Sequence, residues 1–215
     1  MRRALLAVLV VLLLVSIVTA GGLWDVVPKV EPSVVRLVGF HGEDESVSTC
    51  AAFSIHQATG YLLTAAHCLA PELSIHAPNG GKYVASVVWG SEALDLLVLQ
   101  SGWHGKALRP RAPDMVRGLE AGALGHAYGL STRYFAAGFV AYLGALPEWE
   151  ENGMNWRDGW LLISAPFIVG MSGGPIFDRE GRVMGMVQRT SDRTGFGRPI
   201  SVVWGATQAY WEKLR

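Results

Sequence analysis

Short apolar runs separated by turn residues dominate this sequence. They are the feature that most restricts the fold classes open to it. In the first half, six runs rich in apolar and β-branched residues are separated by polar or glycine-containing turns, and no long helical periodicity lies between them. The stretch Pro78-Asn79-Gly80-Gly81 is typical of a hairpin turn. We predict six strands in this half, at 33–40, 50–56, 61–64, 73–77, 82–90 and 95–100.

A stretch containing prolines then interrupts the pattern. Ser101 to Met115 has no periodicity and contains Pro110 and Pro113, which predicts a linker. Six more strands and a terminal helix are predicted beyond it, at 122–126, 132–143, 159–165, 175–177, 183–188 and 199–203, with the helix at 206–215. The sequence therefore predicts an all-β protein with two six-stranded antiparallel β-barrels and a C-terminal helix. We place the first barrel domain at 21–112 and the second at 113–215.

The composition agrees with this fold and excludes one class of function. A chain of 215 residues can bury a sizeable core, and its 26 glycines and 10 prolines suit many turns. The 18 basic residues balance the 18 acidic residues. A neutral surface offers no electrostatic basis for binding nucleic acid, so no nucleic-acid partner is expected.

Residues 1–20 have the pattern of an export segment rather than of a folded domain. Arg2 and Arg3 precede an apolar run from Ala4 to Val18, and small residues follow it. The run is long for a cleaved signal and short for a spanning helix. Two alternatives therefore stay open: cleavage after Ala20, or retention of residues 4–20 as a membrane tether. Both predict an exported protein, periplasmic or extracellular.

The sequence contains two cysteines, Cys50 and Cys68. Export places them in an oxidising compartment, where a disulfide is the default, and two unpaired buried thiols are the alternative. The histidines outside the Thr64–Cys68 segment show no metal-ligand spacing, so we expect no metal and no cofactor; they are His41, His56, His76, His104 and His126.

Three distant segments carry the residue types that nucleophilic hydrolysis needs. Ser172 lies in a glycine-rich turn, His67 follows a predicted strand, and Asp95 precedes the apolar run Leu96-Leu97-Val98-Leu99. A serine hydroxyl needs a base to remove its proton, and the base needs a carboxylate to orient it. Each residue alone is a weak signal, because aspartate favours turns and a lone histidine is more often structural. Their joint occurrence in an exported β-rich chain favours a catalytic triad.

The sequence resembles the trypsin/chymotrypsin-fold serine peptidases. The resemblance rests on Thr64-Ala65-Ala66-His67-Cys68 and on Gly173-Gly174-Pro175 after Ser172. Within that family it is most similar to the bacterial HtrA-type branch, through Pro32 to Arg36, Gly60 to Thr64 and Leu124 to Leu130. The similarity extends from about Pro32 to Val203.

The resemblance implies roles for individual residues. His67 is implied as general base, Asp95 as its orienting group and Ser172 as nucleophile, with an oxyanion hole formed by the N–H groups of Gly170 and Ser172. A disulfide between Cys50 and Cys68 is implied to brace the histidine turn. The substrate pocket is implied near Pro166, Gln188, Arg189, Thr190 and Gly195, with Pro166 at its base and a preference for small or medium apolar residues; Arg189 could instead favour an acidic one.

The sequence departs from the family pattern at three points. Met171 stands where the family usually has Asp or Asn, so we predict no activation by a newly freed N-terminus of the trypsin kind. Gln188 replaces a smaller polar residue that usually supports the aspartate. The chain ends at Arg215 without the PDZ domain usual in HtrA proteins, so regulation through such a domain is not expected.

The function that the sequence predicts is therefore a serine endopeptidase acting on proteins or peptides through an acyl-enzyme. The alternatives are a catalytically silent binding module of the same fold and an esterase of the same fold. The sequence indicates no oligomeric state.

Overall fold

Two closed barrels organise the chain, as the sequence predicts. The structure is a computed structural model that describes residues 22–42, 46–112, 114–145, 159–190 and 193–212, with only the backbone of 208–211. The first barrel has the strand order β1-β2-β3-β6-β5-β4 and the second the order β10-β11-β12-β9-β8-β7. All neighbouring strands described here are antiparallel. The twelve strands are β1 Val34–Phe40, β2 Val47–His56, β3 Tyr61–Thr64, β4 Glu72–His76, β5 Lys82–Ser91, β6 Leu96–Ser101, β7 Glu120–Gly125, β8 Tyr134–Gly144, β9 Trp160–Ile163, β10 Pro175–Phe177, β11 Val183–Thr190 and β12 Gly195–Pro199.

The described helices are short except the last. Helix α1 spans Val27–Val30 and α2 spans Ile200–Glu212, and 3-10 turns lie at Leu23–Asp25, Glu31–Ser33, Ala66–Cys68 and Ala127–Gly129. In the described part of the chain, no helix is both long and apolar enough to cross a membrane. The predicted export segment at 1–20 lies outside the described residues.

Strand register decides where the candidate site forms. Strand β3 is buried along its whole length, and its last residue, Thr64, pairs with Leu97 near the start of β6. Because the two strands are antiparallel, the residues that follow β3 and those that precede β6 emerge at the same end of the barrel. His67 and Asp95 are thereby brought together.

The chain segments outside the barrels join the two halves. Glu31, which precedes β1, forms an ion pair with Arg133 of the second half at 2.9 Å. Residues 109–111 run beside β11, with Val183 N–H donating to Arg109 O and Arg111 N–H donating to Val183 O, both at 2.8 Å. The predicted domain boundary between 112 and 113 lies between the two barrels in sequence, and it stays a prediction.

The last strand and the last helix differ from the sequence prediction. The prediction of a strand at 199–203 is wrong, because β12 ends at Pro199 and α2 begins at Ile200. The β-branched residues of 200–203 favoured a strand, whereas Gly195 and Gly197 weakened the pattern where the strand lies. Ile200 and Val203 are buried in a hydrophobic cluster with first-barrel residues, so packing of the helix overrides local strand propensity.

Candidate active site

The histidine turn is fixed by strand β3 and by a disulfide. His67 lies in the 3-10 turn Ala66–Cys68, and Cys68 is bonded to Cys50 in β2, with the two Cα atoms 6.1 Å apart. The cross-link holds the turn against the barrel while 43% of the His67 side chain stays exposed. The predicted pairing of the two cysteines is therefore present in the structure. Although Cys50, Cys68 and His67 lie within metal-binding distance, the bonded sulfurs offer no thiolate.

Asp95 is buried and holds His67 through both carboxylate oxygens. Oδ1 accepts the backbone N–H of His67 and Oδ2 accepts the ring Nδ1–H, each at 2.8 Å. Because a carboxylate only accepts hydrogen bonds, this contact places the ring proton on Nδ1 and leaves Nε2 as the basic atom. The Asp95 residue is 2% exposed, so these donors, rather than water, supply the hydrogen bonds to its carboxylate.

Asp95 adopts a backbone conformation that needs outside support. Its φ is 52°, in the left-handed region that is unfavourable for residues other than glycine. Its N–H donates to Glu92 O at 2.9 Å, which closes the turn before β6. The Gln188 side chain donates to the backbone carbonyls of Asp95 at 2.9 Å and of Leu94 at 2.7 Å. A side chain of the second barrel thus fixes a turn of the first.

This contact changes the role of Gln188. The sequence places it in the substrate pocket, but its side chain is buried and contacts the Asp95 turn, so only its backbone is left to face a substrate. Arg198 also contacts the Asp95 turn, because its Nε donates to Leu94 O at 3.3 Å. Arg198 was not among the predicted site residues. In the sequence it stands only as an arginine between Gly197 and Pro199, which indicates no contact with the Asp95 turn.

Replacing Gln188 by methionine is expected to lower kcat about 10- to 100-fold while changing KM little. Methionine has a similar volume but cannot donate to the two carbonyls, so the Asp95 turn loosens and His67 is held less well. Peptidase kinetics would measure the effect, with Gln100→Met on the exposed end of β6 as control. A change confined to KM would contradict the positioning role.

The glycine-rich turn carries Ser172 against the first barrel. Gly170 and Gly173 have φ values of 94° and 81°, a region that side chains strain to adopt. Ser172 O accepts the N–H of Ala51 at 2.8 Å. A β-carbon on Gly173 would overlap Thr64 Oγ1 and lie 3.0 Å from Ala65 N. The serine turn therefore abuts the chain just before His67, and glycine is required for that approach.

The hydroxyl and the backbone donors of this turn have different partners. Ser172 Oγ donates to Gln188 O at 3.4 Å, and the described structure contains no hydrogen bond between Ser172 and His67. Within the described residues, the N–H groups of Gly170 and Ser172 donate to no protein acceptor, whereas Gly173 N–H and Gly174 N–H are paired with Val187 O and Met171 O. Two unpaired N–H groups, one of them the serine's own, can donate hydrogen bonds to a developing oxyanion.

Met171 packs inside the second barrel. Its side chain is fully buried, and its sulfur accepts the Ile168 N–H at 3.3 Å. A β-carbon on Gly125 would lie 3.0 Å from Met171 Cβ, so these two segments of the chain are in close contact. The turn is therefore anchored by an apolar side chain where the resemblance would have placed an acidic or amide one.

Met171→Asp is expected to destabilise the fold by about 3–5 kcal/mol, because it buries a carboxyl without a partner. Met171→Leu, which conserves volume, should cost less than about 1.5 kcal/mol and serves as the control. Urea denaturation of both variants measures the difference. Equal losses for the two variants would show that shape rather than charge decides this position.

The residues predicted to line a substrate pocket are placed at different depths. Pro166 and Thr190 are exposed, Arg189 is half-buried and Gly195 is buried. Phe167, which the prediction did not single out, is buried, and its ring occupies the place where a β-carbon on Gly195 would lie. The Thr190 hydroxyl donates to Phe167 O. Pro166 is exposed and Phe167 lies against Gly195, and the assignment of Pro166 to the base of a pocket stays a prediction.

Two six-stranded barrels with a serine turn at their junction define a chymotrypsin-like fold. Residues 49–186 match the model of the trypsin-like peptidase domain family, and the chain belongs to this family. The match confirms the family resemblance that the sequence motifs indicated. A comparison with curated proteins found no significant match.

Solved structures of proteases share the fold. The active form of the Rv3671c protease from M. tuberculosis has a TM-score of 0.75 and 22% identity, covering 85% of this chain and 82% of that chain. The HtrA-type protease AlgW with a tripeptide has a TM-score of 0.74 and 23% identity, covering 88% of this chain and 63% of that chain. At these identities the likeness supports the fold alone.

Proposed function

We propose that this protein is a serine endopeptidase that cleaves peptide bonds through Ser172, His67 and Asp95. The observation that carries the proposal is the buried Asp95 carboxylate, which holds both the backbone and the ring of a half-exposed His67. This contact leaves Nε2 of His67 as a base, beside a glycine-rich turn that carries a serine.

The proposed reaction proceeds in two halves. His67 Nε2 removes the proton of Ser172 Oγ as the oxygen attacks the substrate carbonyl carbon. The N–H groups of Gly170 and Ser172 then stabilise the oxyanion. The C–N bond breaks as His67 gives its proton to the leaving amine, which leaves an acyl ester on Ser172. Water, deprotonated by His67, attacks that ester, and the proton returns to Ser172 as the acid is released.

The hydrogen bond from Ser172 Oγ to Gln188 O bears on this mechanism. Such geometry is common in enzymes without substrate, where catalytic hydrogen bonds tighten only in the complex. Attack requires the hydroxyl to leave Gln188 O and donate to His67. The same observation favours the second candidate, a binding module of this fold whose serine never engages the histidine.

Covalent labelling distinguishes the two candidates. A fluorophosphonate probe should label the wild-type protein, and Ser172→Ala and His67→Ala should abolish labelling. Absence of labelling in folded wild-type protein would contradict the peptidase proposal and support the binding module.

The proposed substrate is a peptide segment with a small side chain at the cleaved bond. Phe167 against Gly195 leaves little depth for a large side chain. Cleavage of a peptide library tests this preference. We also propose that the protein acts outside the cytoplasm, an inference supported by the pattern of residues 1–20 and by the Cys50–Cys68 disulfide.

A further inference from the structure

A basic pocket lies between the two barrels and is lined by none of the residues proposed for catalysis, although His126 in its lining donates its backbone N–H to Gly170 O at 3.3 Å. It has a volume of about 290 Å³. Its charged and polar lining comes from both halves of the chain: Arg36, His76 and Lys82 from the first, and His126, Ser131 and Arg133 from the second.

Three of these residues form one row across neighbouring strands. Arg36 in β1 pairs in register with His76 in β4, and His76 pairs with Lys82 in β5. Opposed residues of antiparallel strands point to the same face and lie about 5 Å apart. The row therefore places the charges of Arg36 and Lys82 on one face, on either side of His76, where negative charge would be attracted to both.

The protein supplies little of that negative charge. Arg133 pairs with Glu31, but neither Arg36 nor Lys82 has a carboxylate partner among the described residues. Arg36 donates to Gly129 O at 2.9 Å and to Nδ1 of His76 at 2.5 Å, and its buried Nε has no partner in the same part of the chain. The pocket thus keeps a net positive charge.

The His76 ring is neutral in this setting. Arg36 can only donate, so Nδ1 of His76 must accept and carries no proton. Burial, followed by the charges of Arg36 and Lys82, lowers the pKa of His76 below its ordinary value.

The ring of His126, a residue that lines the pocket, leaves one hydrogen-bond acceptor unpaired. The residue is 3% exposed, and Nδ1 donates to Leu130 O at 3.0 Å, so the neutral ring has its lone pair on Nε2. That Nε2 atom is buried and has no partner among the described residues. Burial lowers the pKa of His126 to about 4, with Arg133, Arg36 and His76 adding to the effect. Near neutral pH the pocket therefore combines unpaired cations with one unpaired acceptor.

We propose that this pocket binds a phosphate group that carries one acidic proton, either inorganic phosphate or a small phosphomonoester. The guanidinium of Arg36 and the ammonium of Lys82 donate to its oxygens. Its O–H donates to Nε2 of His126, which satisfies the buried acceptor. Sulfate and carboxylates are also anions at neutral pH but carry no O–H, so they leave that acceptor unpaired. The proposal does not depend on peptidase activity.

Calorimetric titration of the full-length protein with inorganic phosphate at pH 7 tests this site, with sodium chloride holding the ionic strength constant. Wild-type protein should bind phosphate saturably at one site, at least about tenfold more tightly than sulfate. Lys82→Gln, at an exposed position of β5, should weaken binding about tenfold. The matched control Lys106→Gln, an exposed lysine outside the pocket, should leave it unchanged.

His126→Leu tests the acceptor, because it should remove the preference for phosphate over sulfate while Lys82 still attracts both. Glycerol 3-phosphate, compared with inorganic phosphate at pH 6, where about half of the ester keeps its O–H, identifies the source: tighter binding than inorganic phosphate assigns an ester, and weaker binding assigns the free ion. The proposal is overturned if wild-type protein shows no saturable binding, if phosphate and sulfate bind equally, or if Lys106→Gln weakens binding as much as Lys82→Gln.

Discussion

Replacing Ser172 by alanine is expected to lower kcat for peptide hydrolysis about a million-fold, with little change in KM. The hydroxyl is the only group of the proposed mechanism that forms a bond to the substrate, and no neighbour can replace it. The turn itself should survive, because its contacts to the first barrel use the backbone of Ser172 and the glycine beside it.

The measurement is initial-rate kinetics on a peptide that the wild-type enzyme cleaves, with thermal unfolding of each variant as a check on folding. Ser86→Ala, at an exposed position of β5, is the matched control and should behave as wild type. Undiminished cleavage by folded Ser172→Ala protein would place the chemistry elsewhere.

Asp95→Asn is expected to lower kcat about ten-thousand-fold. Both carboxylate oxygens accept hydrogen bonds from His67, one from the backbone and one from the ring. An amide has one acceptor oxygen, so its NH₂ group must face one of those two donors. If it faces the ring, the proton moves to Nε2, and His67 can no longer accept the proton of Ser172. If it faces the backbone, two donors are opposed in a buried site, and the turn is displaced.

Two measurements separate a tautomer effect from general damage. Nitrogen NMR of the His67 ring should show the proton on Nδ1 in wild type and on Nε2 in the variant, while the thermal midpoint shows whether the fold persists. Asp114→Asn, in which an exposed carboxylate is neutralised, serves as the control. A variant within about tenfold of wild-type kcat would remove Asp95 from the mechanism.

The strand pattern could be predicted because it depends on local physics. Apolar alternation and turn residues placed β3 at the bounds the structure gives, and β1 and β5 within one residue. The pattern failed at β12, where glycines needed for close packing weaken the local signal. In the structure, a β-carbon added to Gly197 would overlap Ile176, and one added to Gly195 would overlap Phe167.

The contacts that support the site residues could not be predicted from local sequence rules. Residue types and order indicated His67, Asp95 and Ser172, whereas Gln188 is 93 positions from Asp95, and only the family resemblance related the two, without showing a contact. Its assignment to the substrate pocket followed from the same resemblance. The direction of its side chain depends on how the barrels pack, because it bonds across the junction to the Asp95 turn.

The packing of the Met171 side chain could not be predicted from the sequence either. The sequence revealed a departure from the family at that position, but it left open whether a large side chain would disorder the serine turn. The structure places the side chain in the core of the second barrel, where its sulfur takes a hydrogen bond from Ile168. Burial of the Met171 side chain holds the serine turn against the second barrel.

The sequence by itself determined the fold class, the family and the three residues proposed for catalysis, because periodicity and short motifs are local properties of the chain. The tertiary structure alone decided how those residues are supported. It paired both Asp95 oxygens with His67, turned Gln188 onto the Asp95 backbone, filled the region beside Gly195 with Phe167 and aligned Arg36, His76 and Lys82 in one row. These contacts join residues far apart in sequence, so they depend on barrel closure and packing rather than on local preference.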